Sequence, residues 1–342
     1  MSEATPAAPR TVVTRADVAR YAGVSSAVVS YVVNDGPRPV APATAERVRR
    51  AIEVLGYRPN SSARALRRGV SDTIGLVLPD SSGPFFAELG LEIQRLAAMS
   101  DRAVLMGSTL GNRRHEQRVI EDLLSRQVEG MIVRGDSSHR DPFAGIRVDV
   151  PHVLVDTMAP IPGQRSVGSD LRRGADGLVD HLVVVHGMTR IGLIMGEDLS
   201  GLADPRELGW RDAHRRHGLP EGPIARGVFN RPGGYAAMRR MIASGKLPQA
   251  VFASSDLQAI GVLRALHEHG LRVPDDIAVV SFDGTVEAEY AWPPLTAARQ
   301  PIADIAGEAF RLITEDTTSG EVFHLFPTEL MIRSSCGCVP EP

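Results

Sequence analysis

The sequence predicts an α-helical helix-turn-helix headpiece followed by an α/β core with parallel sheets in two lobes. Residues 13–55 carry apolar side chains at helical spacing and show no strand-like alternation. From Thr73 onward, short apolar runs alternate with amphipathic helical segments over about 260 residues, a pattern typical of parallel sheets covered on both faces. Because a single sheet of that length usually splits, we expect two lobes.

The headpiece prediction rests on the stretch DVARYAGVSSAVVSYVVN at residues 17–34. Apolar residues at helical spacing favour a short helix before Gly23, and Ser25 is a candidate N-cap for a second helix. Two helices joined by so tight a glycine turn cannot lie antiparallel and are expected to cross steeply, as in a helix-turn-helix. A third helix is predicted from near Pro42 to Leu55.

Charge is distributed unevenly along the chain. Residues 1–70 contain eleven Arg and five acidic residues and carry a net charge of +6, whereas the remaining residues carry −9. A basic end on an acidic body indicates a polyanionic partner for that end alone. A solvated helical face would give the same charge, so charge by itself leaves both interpretations open.

Composition excludes several other classes of protein. At 43% hydrophobic residues the chain is typical of a globular protein, and no segment approaches the roughly 18 consecutive apolar residues of a membrane span. Residues 1–11 are rich in Ala, Pro and Thr without an apolar run, which predicts a loose tail and not a secretory signal. We therefore expect a cytoplasmic location and no membrane partner.

The ends of the predicted strands indicate where a ligand would bind. Ligands of open parallel sheets occupy the crevice beyond the carboxyl ends of the strands. The predicted strands are TIGLVLPD, AVLMGST, GMIVRG, HVLVD, RIGLIMG, AVFASSD and IAVVSFDG. Polar residues expected to gather at their ends are Asp80, Ser108, Arg134, Asp156, Asp256 and Asp283.

Several motifs together resemble the LacI/GalR family of transcriptional regulators over residues 12 to about 335. They are VTRADVARYAGVSSAVVSYVVN, VRRAIEVLGYRPNSSARAL, IGLVLPD, PFFAEL, VEGMIV, RELGW, SSDLQAIG, LRVPDDIAVVSFDG and PPLTAARQP, in the order that the family shows. The resemblance implies a homodimer, a double-stranded DNA operator with pseudo-palindromic symmetry, and a core like a type I periplasmic binding protein. An effector in the core cleft would change operator affinity.

The same resemblance divides the chain into domains. It implies a tail at residues 1–11, the DNA-binding headpiece at 12–58, a hinge helix or linker at 59–70, the effector-binding and dimerisation core at 71–335, and a C-terminal tail at 336–342. No leucine heptad follows Arg333, so a C-terminal tetramerisation helix is not expected.

Base reading is assigned by similarity to three side chains of the second helix. Ser26 can hydrogen-bond several base edges and Ala27 can touch a thymine methyl, so neither residue dictates a base alone. Tyr31 replaces the Arg found in many relatives, which alters the expected outer-base preference. Ser25 is interpreted as a cap or phosphate contact. Packing in the core is the preferred interpretation of Val28, Val29 and Val32. The full set of expected DNA-binding residues is Thr14, Ser25, Ser26, Ala27, Ser30, Tyr31, Asn34, Ala63 and Leu66.

The hinge prediction rests on PNSSARALRR. Leu66 matches the family's wedge leucine, which would enter a central CpG step from the minor groove, and Ala63 matches the small residue that lets two hinge helices approach. A flexible linker with one buried leucine is the alternative.

Effector binding is likewise assigned by similarity. Arg206 and Asp283 match the family's main ligand-contacting pair, and Phe229 matches its aromatic platform. A guanidinium and a carboxylate each bridge adjacent hydroxyls, and an aromatic face packs on a sugar ring. The expected effector-binding residues are Phe85, Phe86, Asp156, Arg206, Phe229, Ser255, Asp283 and Gln300.

Structural roles remain open for part of this set. In place of a ligand contact, the alternative for Asp283 is to cap the turn DGT, and the alternative for Arg206 is to form an ion pair at the surface. Asp256 is expected to cap the following helix. We expect only one of Phe85 and Phe86 to face the cleft.

The ligand class follows less directly. Gly83 and Leu171 stand where many relatives have Asn, so polar contacts expected there are absent. A carbohydrate is favoured and a purine or nucleoside is the alternative. Release of DNA by a sugar inducer is the default, and a corepressor remains open.

Enzymatic function is not predicted. No P-loop, GxGxxG, GxSxG or HExxH motif is present, and no cofactor or metal is expected. The pairs in HRRH (His214, His217) and HEH (His267, His269) are interpreted as exposed helical residues. Cys336 and Cys338, without a nearby His partner in sequence, are interpreted as reduced surface thiols. A transport-type binding protein and a constitutive architectural protein are the remaining alternatives.

Overall fold

The computed structural model describes residues 13–33, 36, 38–57, 71–80, 83–135, 140–157, 159–197, 203–315 and 320–339. The chain forms two units that divide after Ser71. The predictions for Asn34, Ala63 and Leu66, for the N-terminal tail, and for the hinge at 59–70 lie outside the described residues.

Three helices form the first unit. They are α1 (Arg15–Ala22), α2 (Ser26–Val33) and α3 (Pro42–Leu55), as the sequence predicts. Val18, Val29 and Val48 are fully buried between them, and Val32 packs against this cluster, whereas Val28 lies outside it. The packing interpretation is therefore confirmed for Val29 and Val32 and is wrong for Val28.

The turn between α1 and α2 depends on Gly23. Its φ of 64° is left-handed, and its N–H bonds to the carbonyl oxygens of Ala19 and Arg20. A residue with a Cβ would be strained in this conformation. At the other end of α1, Thr14 caps the helix and forms a capping box with Asp17.

The second unit contains two six-stranded sheets. The first has the order β11-β5-β4-β3-β1-β2 and the second β12-β10-β9-β8-β6-β7. In the first sheet the strands are β1 (Thr73–Leu78), β2 (Ala103–Ser108), β3 (Gly130–Arg134), β4 (His152–Val155), β5 (Arg165–Ser169) and β11 (Val322–Phe326). In the second they are β6 (Ile191–Met195), β7 (Ile224–Arg226), β8 (Ala250–Ala253), β9 (Ala278–Asp283), β10 (Thr296–Arg299) and β12 (Glu329–Met331).

All pairings are parallel except that between β10 and β12. Every predicted strand is present. Strands β5, β7, β10, β11 and β12 were not among the predicted runs, because their sequences are short and partly polar, as RSVGS in β5 illustrates.

Helices cover both faces of each sheet. Helices α4 (Pro84–Met99) and α11 (Ile302–Thr314) bury one face of the first sheet, and α5 (Arg113–Ser125) buries the other. Helices α6 (Leu171–Val184) and α7 (Pro205–Arg216) pack on one face of the second sheet, with α8 (Arg231–Ala243) and α9 (Asp256–Glu268) on the other. The short α10 (Val286–Tyr290) follows β9.

Each lobe is discontinuous in sequence. The chain passes from the first lobe to the second after β5, returns after β10, and crosses again between β11 and β12. Three crossing segments therefore connect the lobes of the core. Among the described helices, none has the length and apolar character that a membrane span requires.

Two predictions about surface residues are wrong. His214 is only 1% exposed, and its Nδ1 lies 2.8 Å from the carbonyl oxygen of Trp210, because α7 turns this side chain into the second lobe. Cys336, expected to be a surface thiol in the C-terminal tail, is fully buried in the core of the same lobe. Cys338 is half-buried.

Glycine allows α8 and α9 to pack closely beside the cavity. A Cβ on Gly261 would lie 2.1 Å from the Arg231 carbonyl oxygen and 2.5 Å from the Tyr235 nitrogen. Both are backbone atoms, so the two helices would have to separate. By contrast, a Cβ on Gly307 in α11 would have no neighbour within 4 Å.

Gly261→Ala is expected to lower the free energy of unfolding by about 3 kcal/mol, because overpacking strains the helix pair. Gly307→Ala is the matched control and should raise it by about 0.5 kcal/mol, since Ala favours the helix. Urea unfolding of both variants and the wild type measures the difference. Equal stability of the two variants would show that α8 and α9 are not held at this distance.

Candidate functional site

A cavity of about 870 Å³ lies between the two lobes at the carboxyl ends of their strands. All eight residues predicted to bind the effector line it: Phe85, Phe86, Asp156, Arg206, Phe229, Ser255, Asp283 and Gln300. Of the six polar residues at predicted strand ends, all but Ser108 line it as well. The parallel topology thus brings together side chains that lie more than two hundred residues apart in sequence, such as Phe85 and Gln300.

Arg206 is the central cation of the cavity. The side chain is buried, and its Nε and Nη2 donate to the two carboxylate oxygens of Asp204 at 2.9 and 2.8 Å, while Nη1 donates to the Ser254 carbonyl oxygen at 2.9 Å. A guanidinium has five N–H donors, so, within the described part of the chain, two remain for a ligand. The alternative of a surface ion pair is wrong, because the pair is buried.

Charge stabilises this arrangement. Burial lowers the pKa of Arg206, but the negative charges of Asp204, Asp283 and Asp156 raise it by more, so the pKa lies above its usual value. Burial likewise raises the pKa of Asp204, but the adjacent guanidinium outweighs it, and the pKa of Asp204 is lowered. Arg206 and Asp204 are therefore both charged and pre-positioned in the absence of ligand.

Asp283 and Gln300 connect the two lobes at the cavity. The Gln300 side-chain amide donates to Asp283 Oδ1 at 2.8 Å, and its Oε1 accepts from the Ser169 hydroxyl at 2.7 Å. Ser169 ends β5 of the first lobe, and Asp283 ends β9 of the second. Asp283 is therefore more than a turn cap, and its Oδ2 has no partner among the described residues.

Asp283 is electrostatically unusual. Burial and the neighbouring Asp256 raise its pKa well above the usual value, although Arg206 and Gln300 act in the opposite direction. Asp283 also has a φ of 99° and Asp156 a φ of 58°. Such strained backbone in non-glycine residues is concentrated at binding sites.

Phe229 forms the aromatic wall. The residue is 41% exposed, and the Arg206 guanidinium carbon lies 4.9 Å from the ring centroid. Gly196, directly after β6, permits this position, because a Cβ there would come within 2.0 Å of Phe229 Cε2. The ring presents its accessible surface to the cavity beside the charged groups.

Phe85 and Phe86 open α4 on the first lobe. Both line the cavity, and their rings meet edge to face with centroids 5.2 Å apart. The expectation that only one would face the cleft is wrong, because both line the cavity. The expectation that one of them belongs to the core is confirmed, because Phe85 is a buried member of the first lobe's core.

Asp156 pairs with Arg134 across the ends of β4 and β3, at 3.1 Å between Oδ2 and Nε. This pair supplies polar groups on the first-lobe side of the cavity. Two residues stand where many relatives have Asn. Gly83 lines the cavity but has no side chain, and Leu171 is buried in the second lobe's core.

Asp256 does not cap α9, contrary to expectation. Ser255 is the N-cap and accepts from the Gln258 N–H. Asp256 is instead buried and accepts hydrogen bonds from the Ser281 hydroxyl at 2.6 Å and from the Thr285 N–H and hydroxyl at 2.7 and 2.8 Å. It fixes the turn that positions Asp283.

Several cavity residues were missed from sequence. Asp204 was not predicted, although Asp followed by Pro at a helix start is an N-cap signal, and it caps α7 here. Gly196, Glu207, Arg226 and Asn230 gave no signal, because only the assembled fold brings them to the cavity.

The headpiece presents a separate candidate surface. Ala27, Ser30 and Tyr31 lie on the side of α2 opposite the core residues Val29 and Val32. Ser26 begins the helix, and Ser25 caps it through the Val28 N–H at 3.4 Å. Thr14 caps α1, as described above. The residues predicted to read bases therefore share the amino-terminal part and the solvent side of α2.

A helix-turn-helix unit linked in one chain to a two-lobed core with a polar cavity defines a DNA-binding transcriptional regulator with an effector site. The family model described as bacterial regulatory proteins, lacI family, matches residues 14–60, and that of a periplasmic binding protein-like domain matches residues 179–336. The chain belongs to the lacI family of bacterial regulatory proteins.

Individual relatives support this assignment. The chain is 34% identical to the ribose operon repressor of Escherichia coli over 331 residues, covering 94% of this chain and 99% of the relative. Among solved structures, it is similar to the lac repressor dimer bound to operator and the anti-inducer ONPF, with a TM-score of 0.84, 28% identity, and 95% and 99% of the two chains covered. It is also similar to the transcriptional regulator CelR–cellobiose complex, with a TM-score of 0.68, 30% identity, and 94% and 99% covered.

Burial of Asp256 predicts a pH dependence. Burial raises its pKa to about 6, despite its hydrogen bonds with Ser281 and Thr285. Between about pH 4 and 6 Asp256 is then protonated to a greater extent in the folded protein than in the unfolded chain, so its contribution to stability falls as pH rises. Asp283 acts in the same direction.

Asp256→Asn removes this titration. We expect the change in the free energy of unfolding from pH 4 to pH 6 to be more positive in the variant than in the wild type, even if the amide lowers stability at every pH. Urea unfolding across this range measures both slopes, and identical slopes would contradict the assignment.

Proposed function

We propose that this chain is a homodimeric repressor that binds a pseudo-palindromic operator and that a carbohydrate in the cavity switches its affinity for DNA. The observation that carries the effector class is the grouping of Arg206, Asp283 and Phe229 on one wall of the cavity. Operator DNA lies in the cytoplasm, where the protein would act. The core binds its ligand without converting it.

The wall suits a sugar for chemical reasons. Two guanidinium N–H groups and one carboxylate oxygen are placed to bond with neighbouring hydroxyls, and the Phe229 face packs on the apolar face of a pyranose or furanose ring. Two similar proteins are named with sugars, the ribose operon repressor and the CelR–cellobiose complex.

The switch is proposed to act through contacts that join the lobes. The chain Ser169–Gln300–Asp283 spans them inside the cavity, and the Val286 N–H donates to Glu88 of the first lobe at 3.1 Å. A ligand hydroxyl that bonds with Asp283 competes with or strengthens this chain. A ligand that binds one arrangement of the lobes more tightly than the other then changes the fraction of molecules that can bind DNA.

The test begins with the DNA. Full-length protein is used to select from a random duplex library, and a single enriched pseudo-palindrome with a central CpG is expected. That duplex, carrying a fluorophore, then reports release when pentoses, hexoses, disaccharides and nucleosides are added. A response to nucleosides alone would contradict the carbohydrate proposal, and the absence of any enriched palindrome would contradict dimeric operator binding.

Phe229→Ala and Asp283→Asn should each raise the sugar concentration for half-release by about tenfold or more, because each removes about 1.5–3 kcal/mol of ligand contact. Operator affinity without sugar should stay near that of the wild type in Phe229→Ala, because Phe229 takes no part in the Ser169–Gln300–Asp283 chain. Tyr290→Ala is the matched control, since Tyr290 is an 80% exposed aromatic residue of the same lobe outside the cavity. An unchanged response in both cavity variants would contradict the site.

Leu66→Ala tests the hinge. Loss of the wedge should weaken operator binding at least tenfold, because the kinked duplex loses the contact that offsets its unstacking. Unfolding of the core should be unaffected. Equal operator affinity of variant and wild type, measured by anisotropy at one salt concentration, would rule out the wedge.

A further inference from the structure

Four metal-binding side chains converge on the second lobe, and none of them lines the cavity. They are His181, His186, Cys336 and Cys338, and one ligand atom from each lies within 4.8 Å of all the others. His181 and Cys336 are buried, and the other two are half-buried. We call these four residues the His–Cys cluster.

Distances in the cluster fit a tetrahedral ion. Cys338 Sγ lies 3.4 Å from His186 Nε2 and 3.7 Å from His181 Nε2. Zinc bonds of about 2.3 Å to sulfur and about 2.0–2.1 Å to nitrogen give tetrahedral S···N edges of about 3.6 Å. Cys338 and the two His side chains are therefore already at the spacing that an ion between them requires, and all four ligand atoms lie within 4.8 Å of one another.

The backbone holds both pairs in place. His181 lies in the last turn of α6, and His186 follows just after the helix ends, a spacing of four intervening residues. Cys336 ends the short 3₁₀ helix Ser334–Cys336, and Gly337 follows with a φ of 103°. This left-handed turn brings Cys338 back toward the same point as Cys336.

A neighbouring hydroxyl is placed to stabilise a thiolate. Thr296 Oγ1 accepts from the Arg333 N–H and donates its single proton either to the Arg333 carbonyl oxygen at 2.8 Å or to Cys336 Sγ at 3.1 Å. Cys336 Sγ lies 3.3 Å from the Arg333 carbonyl oxygen. A thiol donates to that carbonyl, whereas a thiolate accepts from the Thr296 hydroxyl, so the surroundings accommodate the deprotonated form that a metal needs.

We propose that the His–Cys cluster binds one Zn²⁺ ion per chain and that the ion fastens the C-terminal segment to α6. Two nitrogens and two sulfurs in a tetrahedral arrangement are a donor set that zinc prefers. Two thiolates neutralise the ion, so no net charge is buried. All four positions are filled by protein, which makes the site structural. The inference does not depend on the effector or on the operator.

Metal content tests the proposal directly. Full-length protein without an affinity tag is purified in the absence of chelators, and zinc is measured by inductively coupled plasma mass spectrometry. One zinc per chain is expected in the wild type. Cys338→Ser and His186→Ala should each lower this content at least tenfold while operator binding persists. His267→Ala, an exposed helical His of the same lobe, is the control and should retain one zinc.

Cobalt gives a second readout. Stripped protein loaded with Co²⁺ should show the thiolate-to-cobalt charge-transfer band and the intense visible bands of a tetrahedral ion, and Cys338→Ser should lose part of the charge-transfer intensity. Removal of zinc should also lower the Tm of the wild type and leave that of Cys338→Ser unchanged.

Two results would overturn the proposal. One is wild-type protein with less than one tenth of a zinc per chain and no thiolate-to-cobalt band after loading. The other is an intact mass lower by two hydrogens with no free thiol, which would show that Cys336 and Cys338 form a disulfide in place of a metal site.

Discussion

The parallel direction of the core strands is the constraint on which the rest of the molecule depends. Because β1, β3, β4, β6, β8 and β9 all run the same way within their sheets, their carboxyl ends meet at one edge of each lobe. Polar residues that would be costly inside a strand lie just beyond it, where the backbone turns. The cavity is a consequence of this topology, and the three crossing segments keep its two walls in register.

Burial of opposite charges gives the cavity its character. Arg206 is hydrogen-bonded to Asp204, and the negative charges of Asp283 and Asp156 also stabilise its guanidinium. The cation is therefore held in position at a buried site. The cost of removing Asp283 from water appears as its raised pKa. Side chains held in this way need little reorganisation when ligand hydroxyls bind, because folding has already ordered them.

The C-terminal segment is an integral part of the second lobe. Strand β12 adds antiparallel to β10, and the Ser335 hydroxyl accepts from the Thr296 N–H and donates to the Val279 carbonyl oxygen, at 2.8 and 2.6 Å. Cys336 is then carried into the apolar core beside α6. A segment of polar and small residues is thereby fixed by specific bonds, and the His–Cys cluster lies where it meets the end of α6.

The sequence by itself determined the order of the elements and the family. Hydrophobic periodicity located three headpiece helices and seven of the strands, since periodicity is a local signal. The eight effector residues, which were assigned by resemblance to the family, all line one cavity. Only the tertiary structure decided which side chains contact each other. Arg206 bonds with Asp204, and Asp256 bonds with Ser281 and Thr285. Cys338 contacts two His residues that lie about 150 positions away in sequence. Such contacts depend on how helices and sheets pack. Periodicity tells which face of an element is buried but not what that face will meet, so His214 and Cys336 were expected at the surface and lie in the core.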